Sequence, residues 1–132
     1  MRPDFALVEF AGNDADVRAA LSLARSGRNI RTILDGFRAT VPDARIFLVV
    51  THEFTGPRGW LRPFLNAYNE RHTFVALSTG VNVIDIRRAW RSVPITTRDH
   101  ILPDGVHLTV DGFAKVVAPA IIEALTFTLQ KS

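Results

Sequence analysis

Three short apolar runs, at residues 5–11, 44–50 and 81–86, are each separated from the next by enough chain for a helix and its turns, and this spacing restricts the fold more than any other feature. The first run is apolar at both odd and even positions, as a strand covered on both faces requires. Between the runs, Leu21, Ala24, Ile30, Ile33, Leu34 and Phe37 recur at helical spacing over residues 16–40, with Gly27 as an interruption. Leu61, Phe64, Leu65, Tyr68, His72, Val75 and Ala76 do the same over residues 60–79. Residues 51–58 read as a loop closed by Gly56-Pro57, and residues 87–103 as a long, poorly periodic connection. A last helix over residues 109–129 presents Phe113, Val116, Val117, Ala120, Ile121, Ala124 and Leu125 to a core, with a kink predicted at Pro119. Strands alternating with helices imply right-handed crossovers, hence an α/β chain with a parallel sheet between helical layers.

At 132 residues the chain is expected to form a single domain, residues 1–132. It has no cysteine, which excludes disulfides and thiolate metal sites. The net charge of +3 comes from arginines spread along the chain rather than gathered in a stripe, so nucleic acid is not an expected partner. Met1-Arg2-Pro3-Asp4 leads straight into a short strand-like run, and the sequence predicts neither signal peptide nor membrane span, a soluble and, as it stands, cytoplasmic chain.

In open parallel sheets the loops at the carboxyl ends of strands build the binding site. Asn13, Thr51, His52, Glu53 and Asp85 fall at or near such ends. Asp104 and His107, spaced as Asp-x-x-His in the loop before the last helix, are placed to join them. A histidine base takes a proton from a hydroxyl nucleophile while a carboxylate orients its ring, and a side-chain amide such as that of Asn13 can donate to an oxyanion. Together they suggest acyl transfer. Singly, each has an ordinary reading: Asp-x-x-His as a turn at a helix entry, Asn13-Asp14 as turn and cap chemistry. Thr51 reads as a pocket-lining residue. His52-Glu53 lacks the helical spacing of a hydrolytic metal motif, and no metal is called for. Trp60 and Phe54 are candidates to wall a substrate pocket or to pack in the core, and Arg58 and Arg62 to meet an anionic substrate or solvent.

Ala11-Gly12-Asn13-Asp14 after an apolar strand, and Asp104-Gly105-Val106-His107 followed by Leu108-Thr109-Val110-Asp111-Gly112, resemble the third and fifth conserved blocks of the SGNH, or GDSL, serine esterases and lipases. The resemblance covers essentially the whole chain. It implies a three-layer, flavodoxin-like fold and a hydrolase of carboxylic esters, small-molecule, glycan or lipid. Asn13 would be the oxyanion donor, His107 the general base and Asp104 its partner, with no cofactor or metal. Ala11 stands where the family has the first glycine of G-x-N-D. The family's Gly-Asp-Ser strand has no counterpart, so the chain resembles the C-terminal portion of the fold, incomplete at its N-terminal strands. Ser22, Ser26, Ser78, Ser92 and Ser132 are not on a strand-to-helix elbow and are not expected nucleophiles. The nucleophile strand of the family pairs beside residues 5–11. That edge is therefore expected to self-associate, to recruit a separate N-terminal fragment, or to leave the chain poorly soluble alone. The alternative is a non-catalytic α/β binding or interaction module, a degenerate or truncated hydrolase.

Overall fold

The computed structural model describes residues 3–130. Its sheet has three parallel strands, β1 (Phe5–Val8), β2 (Arg45–Val50) and β3 (Asn82–Asp85), in the order β1-β2-β3. Phe5 stands opposite Arg45 and Val8 opposite Leu48, while Phe47 pairs with Asn82 and Val50 with Asp85.

A helical turn, α1 (Ala11–Asp14), and a 3₁₀ turn (Val17–Ala19) follow β1. Helix α2 (Leu23–Thr40) begins where the Ser22 hydroxyl accepts the Arg25 N–H. The segment predicted as one helix over residues 16–40 is thus broken, because Ala20 takes a left-handed conformation at φ 48°. Gly27 does not interrupt α2; it is buried within it, where a Cβ would lie 2.3 Å from Arg71 Nε. After β2 come α3 (Gly56–Trp60) and α4 (Leu65–Ser78), which replace the single helix expected over residues 60–79. Pro57 starts α3 with its fixed φ, and Pro63 stands in the break before α4.

Ile30 and Leu34 of α2 and Val75 and Ala76 of α4 pack with Ala6, Val8, Ile46, Leu48 and Val50 on one face of the sheet. Both crossovers therefore use the same face, as right-handed connections moving in one direction across a sheet must. Each fully buried aliphatic side chain there contributes about 1.5–3 kcal/mol.

The chain between residues 87 and 103 is not an irregular connection. It holds α5 (Ile86–Arg91) and α6 (Ile95–Ile101). Asp85 caps α5 by accepting the Arg87 N–H at 3.0 Å, and the fully buried Trp90 anchors it against Ile101, Leu102 and Val116. Few residues of this stretch are buried, so no helical period is visible in it. A short turn, α7 (Val110–Gly112), and a π-helical turn over Phe113–Val117 lead into α8 (Ala118–Gln130). The distortion predicted at Pro119 is thus met by a wider turn just ahead of it, where the Ala118 N–H bonds to Phe113 O. Val117, Ile121, Ala124 and Leu125 cover the second face of the sheet against Phe47 and Ile84, completing three layers.

By length and composition Val110–Gln130 would suffice to cross a membrane. One side of it packs on the sheet; Ile122, Phe127 and Leu129 on the remainder are exposed. Among the described residues β1 has no strand neighbour but β2.

Candidate functional site

Asp104 and His107 share a turn that the backbone holds closed. Gly105 sits at φ +78° and its carbonyl accepts the Thr55 N–H at 2.8 Å; a Cβ there would fall 1.9 Å from Thr55 O, so only glycine fits. Asp104 Oδ1 accepts the N–H groups of Val106 (2.9 Å) and His107 (2.7 Å). Its Oδ2 takes His107 Nδ1 at 2.7 Å and Arg58 Nη1 at 2.8 Å. The His107 backbone N–H first, then its ring, hold the Asp104 carboxyl well below the usual carboxylate range. With Nδ1 facing the carboxylate, His107 Nε2 has no hydrogen-bond partner among the described residues.

Asn13 lies inside α1, not in a loop after the strand as expected, since β1 stops at Val8. Three contacts fix this turn. The Gly12 N–H donates to Glu9 Oε1 at 3.1 Å, and Arg62 Nε donates to Gly12 O at 2.7 Å. Arg62 Nη2 also reaches Asp16 Oδ2 at 3.0 Å. A Cβ on Gly12 would meet Phe54 Cζ at 2.9 Å, so the glycine lets the turn approach that ring. Ala11, at the departure from G-x-N-D, is buried with Ala15 and Leu65, and its methyl is absorbed by packing.

Asn13 and His107 line one cavity of about 560 Å³. Its polar lining includes Glu9, Thr51 and His52, and its apolar lining Leu7, Val49, Phe113, Val117 and Ile121. Burial pushes the Glu9 carboxyl up, with the Gly12 N–H opposing. Burial pushes His52 down to about 4, so its ring is neutral at pH 7. Of the other residues singled out in the sequence, Phe54 and Arg62 line the cavity. Trp60 does not: it is 76% exposed on α3 and lines none of the cavities described. Asp85 caps α5 away from this cavity, and Arg58 spends its charge on Asp104. Among the described residues no three His, Asp or Glu side chains gather as a metal site.

Among the described residues no serine lines the cavity; Ser132 lies outside the described residues. Ser26 does meet a histidine and an aspartate. Its hydroxyl donates to Asp14 Oδ2 and lies 2.6 Å from His72 Nε2. Since the hydroxyl proton goes to Asp14, His72 Nε2–H must be the donor to Oγ, the reverse of nucleophile activation. Ser26 is also fully buried. The trio ties α1, which carries Asn13, to α2 and α4. Neither it nor the clamp by Arg62 was anticipated from sequence, because the partners are 46 and 50 residues apart.

The fold is similar to that of a lipase/acylhydrolase from Enterococcus faecalis, with a TM-score of 0.76 and 21% identity over 93% of this chain and 61% of the other. An acetylxylan esterase from Geobacillus stearothermophilus has a TM-score of 0.70 and 17% identity over 92% of this chain and 59% of its own. The chain thus spans about three fifths of the length of these structures. No curated protein matches it by sequence. The profile of the GDSL-like lipase/acylhydrolase family matches residues 1–115, and the chain belongs to that family.

Proposed function

We propose that this chain is the base-bearing portion of a serine hydrolase of carboxylic esters. The observation that carries the reading is the 2.7 Å pairing of Asp104 with His107 Nδ1, beside a cavity shared with Asn13. His107 Nε2 takes the proton of a serine hydroxyl as its oxygen attacks the ester carbonyl, and Asp104 stabilises the imidazolium. The Asn13 amide donates to the oxyanion. His107 then protonates the departing alkoxide, leaving an acyl-serine that water hydrolyses with the same base. Thr51 and His52 line the substrate's space.

The serine belongs to a segment that pairs with the open edge of β1. Leu7, 45% exposed, lines the cavity from that edge, so a strand beside it would end near His107 and Asn13. Without such a partner the edge pairs with a second copy. Proposed substrates are small-molecule, glycan or lipid esters, among them acetylated glycans of the kind the Geobacillus relative is named for.

The test supplies a polypeptide carrying a Gly-Asp-Ser strand, in trans or fused ahead of residue 1, and follows hydrolysis of an aryl acetate. Turnover is expected in the mixture and not in the chain alone, and is lost in His107→Ala. Asn13→Ala should cost about 10²–10³ in kcat, the usual loss for one oxyanion donor. Fluorophosphonate labelling of a serine already in this chain, dependent on His107, would refute the scheme. Docking of the strand without turnover would make the chain a binding module.

A further inference from the structure

Among the described residues four hydrogen bonds reach the Asp104 carboxylate, and three of them come from its own turn: the Val106 and His107 N–H groups on Oδ1 and the His107 ring on Oδ2. The fourth comes from another element. Arg58 Nη1 donates at 2.8 Å to Oδ2, the same oxygen that His107 Nδ1 approaches at 2.7 Å. Helix α3 carries the guanidinium to that place. Thr55, just ahead of α3, donates its N–H to Gly105 O at 2.8 Å, and the Arg58 carbonyl accepts from Arg62 Nη1 at 2.8 Å, so α3 is tied both to the Asp104 turn and to the Arg62 clamp.

As a strut the contact contributes little. The Arg58 side chain is 60% exposed and that of Asp104 32%, and ion pairs so open to water add little stability. Its effect on charge is of another kind. A guanidinium stays charged at every working pH, and here it shares one oxygen with the ring that has to gain and lose a proton. A carboxylate favours the imidazolium; a fixed cation on the same oxygen opposes it. Other ionisable groups face the pair without bonding to it. Glu9, His52 and Arg62 line the cavity with His107, and Asp99 of α6 lines an outer cleft with Arg58 and Asp104. Glu53 is engaged by Arg91, and Asp111 and Lys115 on the turns that follow pair with each other.

We propose that Arg58 is a positioning residue of the Asp104–His107 pair: it fills the last acceptor position on Asp104 and, through its charge, keeps the carboxylate from holding the His107 proton too tightly. The proposal rests on the reading of His107 as the base. In that scheme the imidazolium must hand its proton to a departing alkoxide, and a cation beside Asp104 eases that transfer while leaving more of the ring neutral and ready to accept.

The test follows the His107 ring by NMR through a pH titration of the full chain. Two like charges about 5 Å apart in water oppose each other by roughly half a pH unit. Arg58→Gln keeps a hydrogen-bond donor and removes the charge, so the His107 midpoint should rise by about half a pH unit, and by less at about 1 M salt, where the charge is screened. Arg58→Lys keeps the charge and, since the contact uses one nitrogen, should leave the midpoint where the parent has it. The downfield Nδ1–H signal should persist in both variants, because Asp104 is held by its own turn. A midpoint that stays or falls in Arg58→Gln overturns the proposal. An equal rise in Arg58→Lys does so too, since it would assign the effect to the guanidinium's shape. Loss of the Nδ1–H signal in Arg58→Gln would make Arg58 a strut and overturn it as well. The titration needs no nucleophile, so failure of the esterase scheme and failure of this role are separate results.

Discussion

His52 and His72 are buried and neutral, and each is held below the ordinary imidazole range chiefly by desolvation. Unfolded, each binds a proton near 6.5; folded, each resists it, so the unfolded chain takes up more protons as pH falls. Stability contributed by His52 is therefore complete above about 6.5 and is lost progressively down to about 4. The urea midpoint should fall across that window, and His52→Phe should flatten the fall. Asp16, Asp85 and Asp104, whose pKa values are depressed, act lower: their contribution is present above 3.8 and lost as pH falls further. Glu9 has the opposite sign, its raised pKa taking stability away as pH rises past 4.5. Ser26→Ala should cost about 1 kcal/mol in urea unfolding, because it removes the 2.6 Å partner of the buried His72 Nε2–H and leaves it only Asp14 Oδ2 at 3.4 Å.

At the scale of elements, the two ends of the candidate site are clamped by different means. The Asp104 turn is closed by its backbone, and Gly105→Ala would drive a methyl into Thr55 O from a left-handed residue. A loss of about 1–3 kcal/mol is expected, together with disappearance of the downfield Nδ1–H signal that marks the His107 bond to Asp104. The α1 turn is clamped from outside by Arg62, which reaches Gly12 O, Asp16 and Arg58 O at once. Lysine cannot span these three acceptors. Arg62→Lys should speed hydrogen exchange at the α1 amides and cost about 1–2 kcal/mol, while the amides of α8 keep their exchange rates.

For the whole molecule, the open edge of β1 is the feature with the largest consequence. Among the described residues its outer N–H and C=O groups have no strand partner, and with Leu7 and Phe10 exposed nearby they make a template for another strand. Sedimentation should show association that grows with concentration and yields to a Gly-Asp-Ser strand peptide. A lasting monomer whose Phe5–Val8 amides are strongly protected would count against this, since protection on both sides of β1 needs a cover.

Much of this architecture is legible in the sequence. The three strands follow from short apolar runs, the crossovers from helical spacing between them, and the Asp104–His107 pair from a turn only three residues apart, all local signals. The helices of residues 86–101 were missed because Asp85 capping and one buried tryptophan define them, with no apolar stripe to reveal a period. Trp60 has the residue type of a pocket wall, but α3 ends beneath it and leaves its ring in solvent. Asn13 follows the carboxyl end of β1, as its place in the sequence implies, but the helical turn that holds it depends on Glu9, Arg62 and the Asp14–Ser26–His72 trio. The trio and the Arg62 clamp join residues far apart along the chain. Local propensity decides where strands and helices form; which distant side chains finish each other's hydrogen bonds is decided only when the layers pack.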